Sequence, residues 1–441
     1  MKVLVVGKGA REHALCWRFS QSQKVWGLFC ASGNPGISRT ARQVDIAPTE
    51  IDPLVRFAES EKVDLTVVGS ESPLALGVVD EFERRGLPIF GPTKAATQLE
   101  ASKSFAKALM READVPTAEW ETFVDADAAR RYVKARRGPL VVKADGLALG
   151  KGVTVCEDPD SALAAISDAI EKRCFGEAGA RVVIEERLFG DELSFFALCN
   201  GKNAISLGTV QDHKAAFDGD RGPNTGGMGA YCPVPAYDNR FDESVMSQVV
   251  RPTLAAMAAR GTPFKGVLFA GLMVQGERIT VLEFNARFGD PECESLMMRF
   301  EGDLAETLLA VVEGRMSDVL FKLSPRSAAT VVLASGGYPG NYRTGLPIRG
   351  LDRIDGAEPS DVKVKWAMDK IRVKAFHAGT ALVGNQLVTD GGRVLAVTAM
   401  AEKLERAVGA AYEAADMIHF DGKQMRHDIA RRTLDSAASR S

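Results

Sequence analysis

Between two short β-branched runs, PLVVK ending at Lys143 and GVTVC starting at Gly152, the chain carries GLALGKGV, residues 146–153. A lysine inside a glycine run is the chemistry of a phosphate-cradling loop, in which backbone N–H groups and a cation meet an anion. Its setting restricts the fold. A P-loop needs Gly-x-x-x-x-Gly-Lys-Ser/Thr, placed after a strand and opening a helix. Here the residue five before Gly150 is Asp145, and Gly152 follows Lys151. The flanking runs read as the two strands of a hairpin. The loop therefore points to a nucleotide fold other than the P-loop type.

The first hundred residues alternate short apolar runs (KVLVVG, VWGLFCA, DLTVVGS, LPIFGP) with helical patterns, the signature of a parallel α/β unit. A helix carrying Phe105, Leu109, Met110 and Ala113 follows, and Pro116 stops it. The expected organisation is an N-terminal α/β domain over 1–101 and a nucleotide-binding region over 102–325. That region divides into a small α+β module, 119–189, inserted into or docked on a central domain, 190–325. A C-terminal α+β domain, 326–431, and a tail, 432–441, complete the chain.

With 55 basic and 58 acidic side chains the net charge is -3, so the overall balance steers the chain to neither nucleic acid nor membrane. The seven cysteines are scattered, odd in number and lack Cys-x-x-Cys spacing, which argues against a disulfide framework or a zinc site. MKVLVVGKG is too short an apolar core for a signal peptide, and no run approaches the ~20 residues of a membrane helix. A cytoplasmic protein is expected.

Four further stretches carry chemistry. VLVVGKGAREHA has glycines at 7 and 9 but Glu12 where a dinucleotide fingerprint wants a third glycine. What remains is a glycine turn feeding a helix N-terminus, which suits an anion. The turn around Asn34, Pro35 and Gly36 lies after the second strand, on the same sheet edge. In VLEFNARFGD, period-two alternation puts Leu282 and Phe284 on one face and Glu283, Asn285 and Arg287 on the other. A carboxylate and an amide oxygen two residues apart suit Mg²⁺, leaving positions for water and phosphate oxygens. Residues 208–231, GTVQDHKAAFDGDRGPNTGGMGAY, read as an ordered substrate loop with Asp212, His213, Lys214, Asn224 and Thr225.

The Gly/Lys hairpin, the IEERL strand end and the EFN strand together resemble an ATP-grasp ligase. The ordered set of GNPG, GPTKAA, LVVKADGLALGKGV, QDHK, GPNTGGMGAY, EFNARFGDPE, ASGGYPG, FHAGT and IHFDGKQMRHDI resembles the phosphoribosylamine–glycine ligase family over nearly the whole chain. Three positions depart from its pattern: Ala10 in place of glycine, Leu149 in place of alanine, and Ala215 where a basic residue usually follows QDHK. The resemblance implies an ATP-grasp fold and ATP-dependent ligation of glycine to 5-phosphoribosylamine through glycyl phosphate, with Mg²⁺ or Mn²⁺. It places Glu283 and Asn285 on the metal and Lys103, Lys143 and Lys151 around the phosphates. Gly150 and Gly152 would close the lid, Glu185, Glu186 and Leu188 would line the adenine site, and Glu192 would hold the ribose. Arg287 would pair with the glycine carboxylate or the intermediate, Lys143 would assist catalysis, and Asp212 would orient the amine. Thr225 and Gly226 would contact substrate, and Gly9 with Asn34, Pro35 and Gly36 would hold the ribose phosphate. A monomer is the expected state. The competing readings are another ATP-grasp carboxylate–amine ligase or carboxylase, and a nucleotide-binding protein without catalysis.

Overall fold

The computed structural model describes residues 1–136, 138–148, 152–319, 321–354 and 371–438. Leu149, Gly150 and Lys151 of the Gly/Lys loop therefore lie outside the described residues.

The N-terminal apolar runs form a five-stranded parallel sheet, in spatial order Arg42–Val44, Gly27–Ser32, Lys2–Gly7, Leu65–Val68 and Ile89–Phe90. Its central strands Lys2–Gly7 and Leu65–Val68 are buried on both faces, as parallel strands flanked by helices must be. The order reverses at Lys2–Gly7, so its C-terminal end opens a crevice of the kind where α/β sheets place ligands.

Residues 120–186 build a separate four-stranded antiparallel sheet in the order Trp120–Phe123, Val182–Glu186, Leu140–Ala144, Val153–Cys156. The last pair is the hairpin that carries the Gly/Lys loop. Helices Ala126–Ala135 and Pro159–Ile166 cover it around a small core of its own, including Val133, Val142, Ile166 and Ile184. Both helices start on an aspartate, Asp125 and Asp158, whose carboxylate accepts a first-turn N–H.

The remaining strands join into one eight-stranded antiparallel sheet. It runs Arg278–Asn285, Lys265–Gln275, Asp191–Asn200, Ala204–Asp212, Gly229–Cys232, Ser327–Ala334, Arg393–Ala401 and Arg372–His377. The strand ELSFFALC is buried on both faces: Phe195 enters one core and Phe196 the other. Strands from beyond residue 326 thus extend the sheet that begins in the central region. Residues 431–438, of which those from 432 onward were expected as a tail, form a helix whose Thr433 hydroxyl lies 2.7 Å from that of Tyr231.

Candidate active site

The crevice between the small module and the large sheet is a cavity of about 630 Å³. It gathers Lys103, Lys143, Gly152, Glu185, Glu186, Leu188, Glu192, Asp212, Thr225, Gly226, Glu283, Asn285 and Arg287 from distant parts of the chain. Gly9, Asn34, Pro35 and Gly36 are not among the lining residues.

The strand Arg278–Asn285 delivers the acidic pair, with one correction to the expected alternation. Its register slips against Lys265–Gln275, Gly271 pairing with Glu283 and Leu272 with Val281, so Leu282 is the extra residue of a β-bulge. Val281 and Phe284 pack in the core, whereas Leu282 joins Glu283 and Asn285 on the cavity wall. Burial pushes the Glu283 carboxyl up, but Lys214, Lys143, Lys103 and Arg287 outweigh it and hold it below the usual carboxylate range. Glu283 is therefore ionised at neutral pH. Asn285 Oδ1 accepts one hydrogen bond, from Arg287 Nη2 at 3.2 Å, and keeps a lone pair free. The pair suits a hard divalent cation that draws its remaining ligands from phosphate and water. No group of three or more His, Cys, Asp or Glu side chains that could hold a metal ion occurs among the described residues.

Lys143 Nζ lies 3.0 Å from the Leu282 carbonyl and 3.0 Å from Glu185 Oε1. The second Glu185 oxygen pairs with Lys107 at 2.9 Å, and Lys107 also donates to Thr117 Oγ1 at 2.7 Å. Burial lowers Lys107 to about 8, Glu185 opposing and Lys143 reinforcing the shift. Lys103 donates to the Gly146 carbonyl at 3.4 Å, at the base of the Gly/Lys loop. That base is pinned by Asp145, which accepts from Ser102 Oγ, Ser104 N and Ser104 Oγ at 3.1, 3.0 and 2.5 Å, at the start of helix Lys103–Glu112.

On the opposite wall Arg287 reaches Glu100 at 2.8 Å and Glu71 at 3.3 Å. Burial raises Asp212 well above the usual range, Glu292 adding to the shift and Lys214 opposing it. Lys214 pairs with Glu192. Burial lowers its pKa, but Glu192, Glu283 and Asp212 outweigh burial and raise it. Arg393 Nη1 donates to the carbonyls of Gly226 and Asp290 at 2.8 and 2.6 Å and lies 3.1 Å from the Asp290 carboxylate.

At both expected anion turns a glycine N–H is spent internally. Gly9 N–H donates to Glu12 Oε2 at 2.6 Å, and that carboxylate fills the space beside Gly7 and Gly69. An added Cβ on Gly69 would sit 2.1 Å from Glu12 Oε1. The Asn34 amide donates to the Lys8 and His377 carbonyls, each at 2.8 Å, and its oxygen accepts from Gly36 and Ile37. The free backbone donors assumed at Gly9 and Gly36 are therefore used inside the fold.

Sequence reasoning missed Lys107, Glu100, Arg11, Glu71 and Arg393 as cavity residues. Glu100 and Lys107 flank Lys103 at helical spacing in LEASKSFAK, a usable signal. Arg393 arrives from a distant strand, and nothing local announces it.

Family models match the chain in three consecutive pieces, described as the N domain of phosphoribosylglycinamide synthetase over 1–100, its ATP-grasp (A) domain over 101–293 and its C domain over 328–432. This chain belongs to the phosphoribosylglycinamide synthetase family. A phosphoribosylamine–glycine ligase of Rhodopirellula baltica is 46% identical over 99% of this chain and 98% of its own length. One from Vibrio cholerae is 44% identical over 98% of this chain and 99% of its own. The crystal structure of the Thermotoga maritima phosphoribosylamine–glycine ligase superposes with a TM-score of 0.82, at 31% identity, covering 98% of this chain and all of that one. The biotin carboxylase domain of the Hydrogenobacter thermophilus 2-oxoglutarate carboxylase, solved with MgADP and bicarbonate, superposes at 0.70 with 16% identity over 96% of this chain and 91% of that one, a likeness of fold. The family's ATP-grasp architecture is thus the architecture of this chain.

Proposed function

We propose that the cavity joins glycine to 5-phosphoribosylamine at the cost of one ATP, giving glycinamide ribonucleotide, ADP and phosphate in purine synthesis. The chain is an ATP-dependent ligase of the phosphoribosylglycinamide synthetase family, and full-length likeness near 45% identity to named ligases supports this reading. The observation that carries it is the convergence of Glu283, Asn285, Lys103, Lys143 and Arg287 on one cavity beneath the Gly/Lys hairpin.

A glycine carboxylate oxygen attacks the γ-phosphorus, forming a P–O bond as ADP leaves. The amine nitrogen then attacks the carbonyl carbon, a C–N bond forms, the C–O bond to phosphate breaks, and the amine sheds one proton. The first step brings two anions together, and like charges 4 Å apart repel by about 4 kcal/mol at an effective dielectric of 20. Lys103, Lys143 and Lys107 line the phosphate side and oppose that repulsion. Mg²⁺ or Mn²⁺, held by Glu283 and Asn285, supplies further neutralisation of the triphosphate. Arg287, anchored between Glu100 and Glu71, presents a planar fork to the glycine carboxylate. Asp212, on the cavity wall, orients the amine. Glu186 and Leu188 line the adenine side and Glu192 the ribose side, and exclusion of water protects glycyl phosphate. The ribose phosphate lies toward Lys214, Thr225, Gly226 and Arg393.

A monomer is the proposed state. No helix among the described residues is long and apolar enough to cross a membrane, which accords with a cytoplasmic setting. ADP release, followed with glycine and phosphoribosylamine added separately and together, tests the reading. Product should need both. Equal turnover with alanine or aspartate in place of glycine would overturn the substrate assignment.

A further inference from the structure

Asp212, at the end of its strand, and Lys214 line the cavity, while His213 between them does not. His213 Nε2 accepts the N–H of Ala430 at 3.3 Å. The C-terminal segment 426–430 meets the loop after Lys214 at several further points. Arg426, 1% exposed, donates Nη1 to the Ala215 carbonyl at 3.3 Å and pairs with Asp220 at 2.9 Å. Both oxygens of Asp428 accept from the same guanidinium, at 2.7 and 2.8 Å. Asp428 Oδ2 also accepts the Gly219 N–H at 2.8 Å, and Asp218 Oδ1 accepts the His427 N–H at 2.7 Å.

We propose that Arg426 is a positioning residue for the ligation. Held by Asp428, it fixes the loop that carries Asp212, Lys214 and Thr225 and so sets the acceptor side of the cavity. The inference rests on the acceptor role given to that loop above. A buried guanidinium is stable only when its partners are fixed, so Arg426 transmits the position of the C-terminal segment to Ala215 and Asp220. The loop's far end is tied as well: Thr225 N and Oγ1 both donate to the Lys214 carbonyl at 2.8 Å. With the two ends pinned, Lys214 is directed at Glu192 and Asp212 at the cavity. A displacement of about 1 Å at such a group costs on the order of 100-fold in rate.

The test uses full-length R426Q, R426K and D428N, with D212N in parallel. It reads the Mg-ATP dissociation constant, KM for phosphoribosylamine, kcat, and amide exchange over 215–224. R426Q is expected to raise KM for phosphoribosylamine at least tenfold, hold ATP affinity within twofold, and speed exchange over 215–224. R426K should not restore it, because one ammonium cannot span Ala215, Asp220 and Asp428 together. D428N leaves the guanidinium in place and should shift KM the same way by less, which keeps the test valid if R426Q folds poorly. KM within twofold of wild type in both R426Q and D428N, or ATP affinity lost in proportion to KM, overturns the clamp. If D212N abolishes turnover while the clamp variants leave KM unchanged, the clamp alone falls. If D212N itself turns over normally, the acceptor-side reading falls first and takes the clamp with it.

Discussion

Single side chains decide the electrostatics of this cavity. Glu283 is the anion that Lys214, Lys143, Lys103 and Arg287 share. E283Q removes its charge with little change in volume, and phosphate release should fall at least about 100-fold, the scale of losing one preorganised electrostatic contact; near-normal turnover in saturating Mg²⁺ would reject the metal assignment. His213 makes a second prediction. Burial, with Arg426 adding to it, lowers its pKa to about 4, so the imidazole is neutral in the native fold. The unfolded chain, titrating near 6.5, binds the extra proton between pH 4 and 6.5, so stability from this group is full above 6.5 and lost as pH falls toward 4. The loss is on the order of 3 kcal/mol. Urea unfolding from pH 4 to 7 should therefore be steeper in pH for wild type than for H213Q, whose side-chain oxygen can still accept the Ala430 N–H. Equal slopes would mean that His213 is solvated.

Elements were more legible than their partners. The hairpin around the Gly/Lys loop, the helix beginning at Lys103 and the strand ending at Asn285 follow from turn residues and periodicity alone. The bulge at Leu282 did not, because it depends on register against the Lys265–Gln275 strand. Gly9 read as an anion site because glycine turns at helix starts usually leave N–H groups free, and Glu12 three residues on supplies the anion from within the chain. Ala215 departs from the family pattern in its side chain, yet it is its carbonyl that Arg426 uses. Asp145 exemplifies what spacing hides, since its three contacts with Ser102 and Ser104 lie more than forty residues back along the chain. An aspartate at a helix N-terminus contributes about 0.3–1 kcal/mol through charge. D145N should loosen the loop's base, raising KM for ATP several-fold and letting ADP form faster than product as glycyl phosphate meets water. One ADP per product at unchanged KM would show that the loop closes without this anchor.

At the scale of the molecule, two units of unequal stability face each other across the cavity. The eight-stranded sheet ties central and C-terminal strands together, and its two flanking cores draw residues from Val3 in the N-terminal domain to Ala430. The module spanning 120–186 depends on a small core around Val133, Val142 and Ile184. Its cavity-side links to the body run through polar contacts of Lys143, Glu185 and Asp145. Buried polar links contribute little net stability, whereas each fully buried Phe or Leu contributes about 1.5–3 kcal/mol. The module should therefore open on its own, at lower free energy than the body. Amides of Leu140–Ala144 and Val182–Glu186 should exchange well before those of Phe195–Leu198 in the free protein. If Mg-ATP bridges both units as proposed, a hundredfold excess over its dissociation constant adds about 2.7 kcal/mol to the closed state. That addition should slow the module's amides by about 100-fold and leave the sheet's slowest amides ahead of them. Matched exchange in the free protein, or no slowing with nucleotide, would mean that the module is part of the rigid body and that the cover closes by the Gly/Lys loop alone.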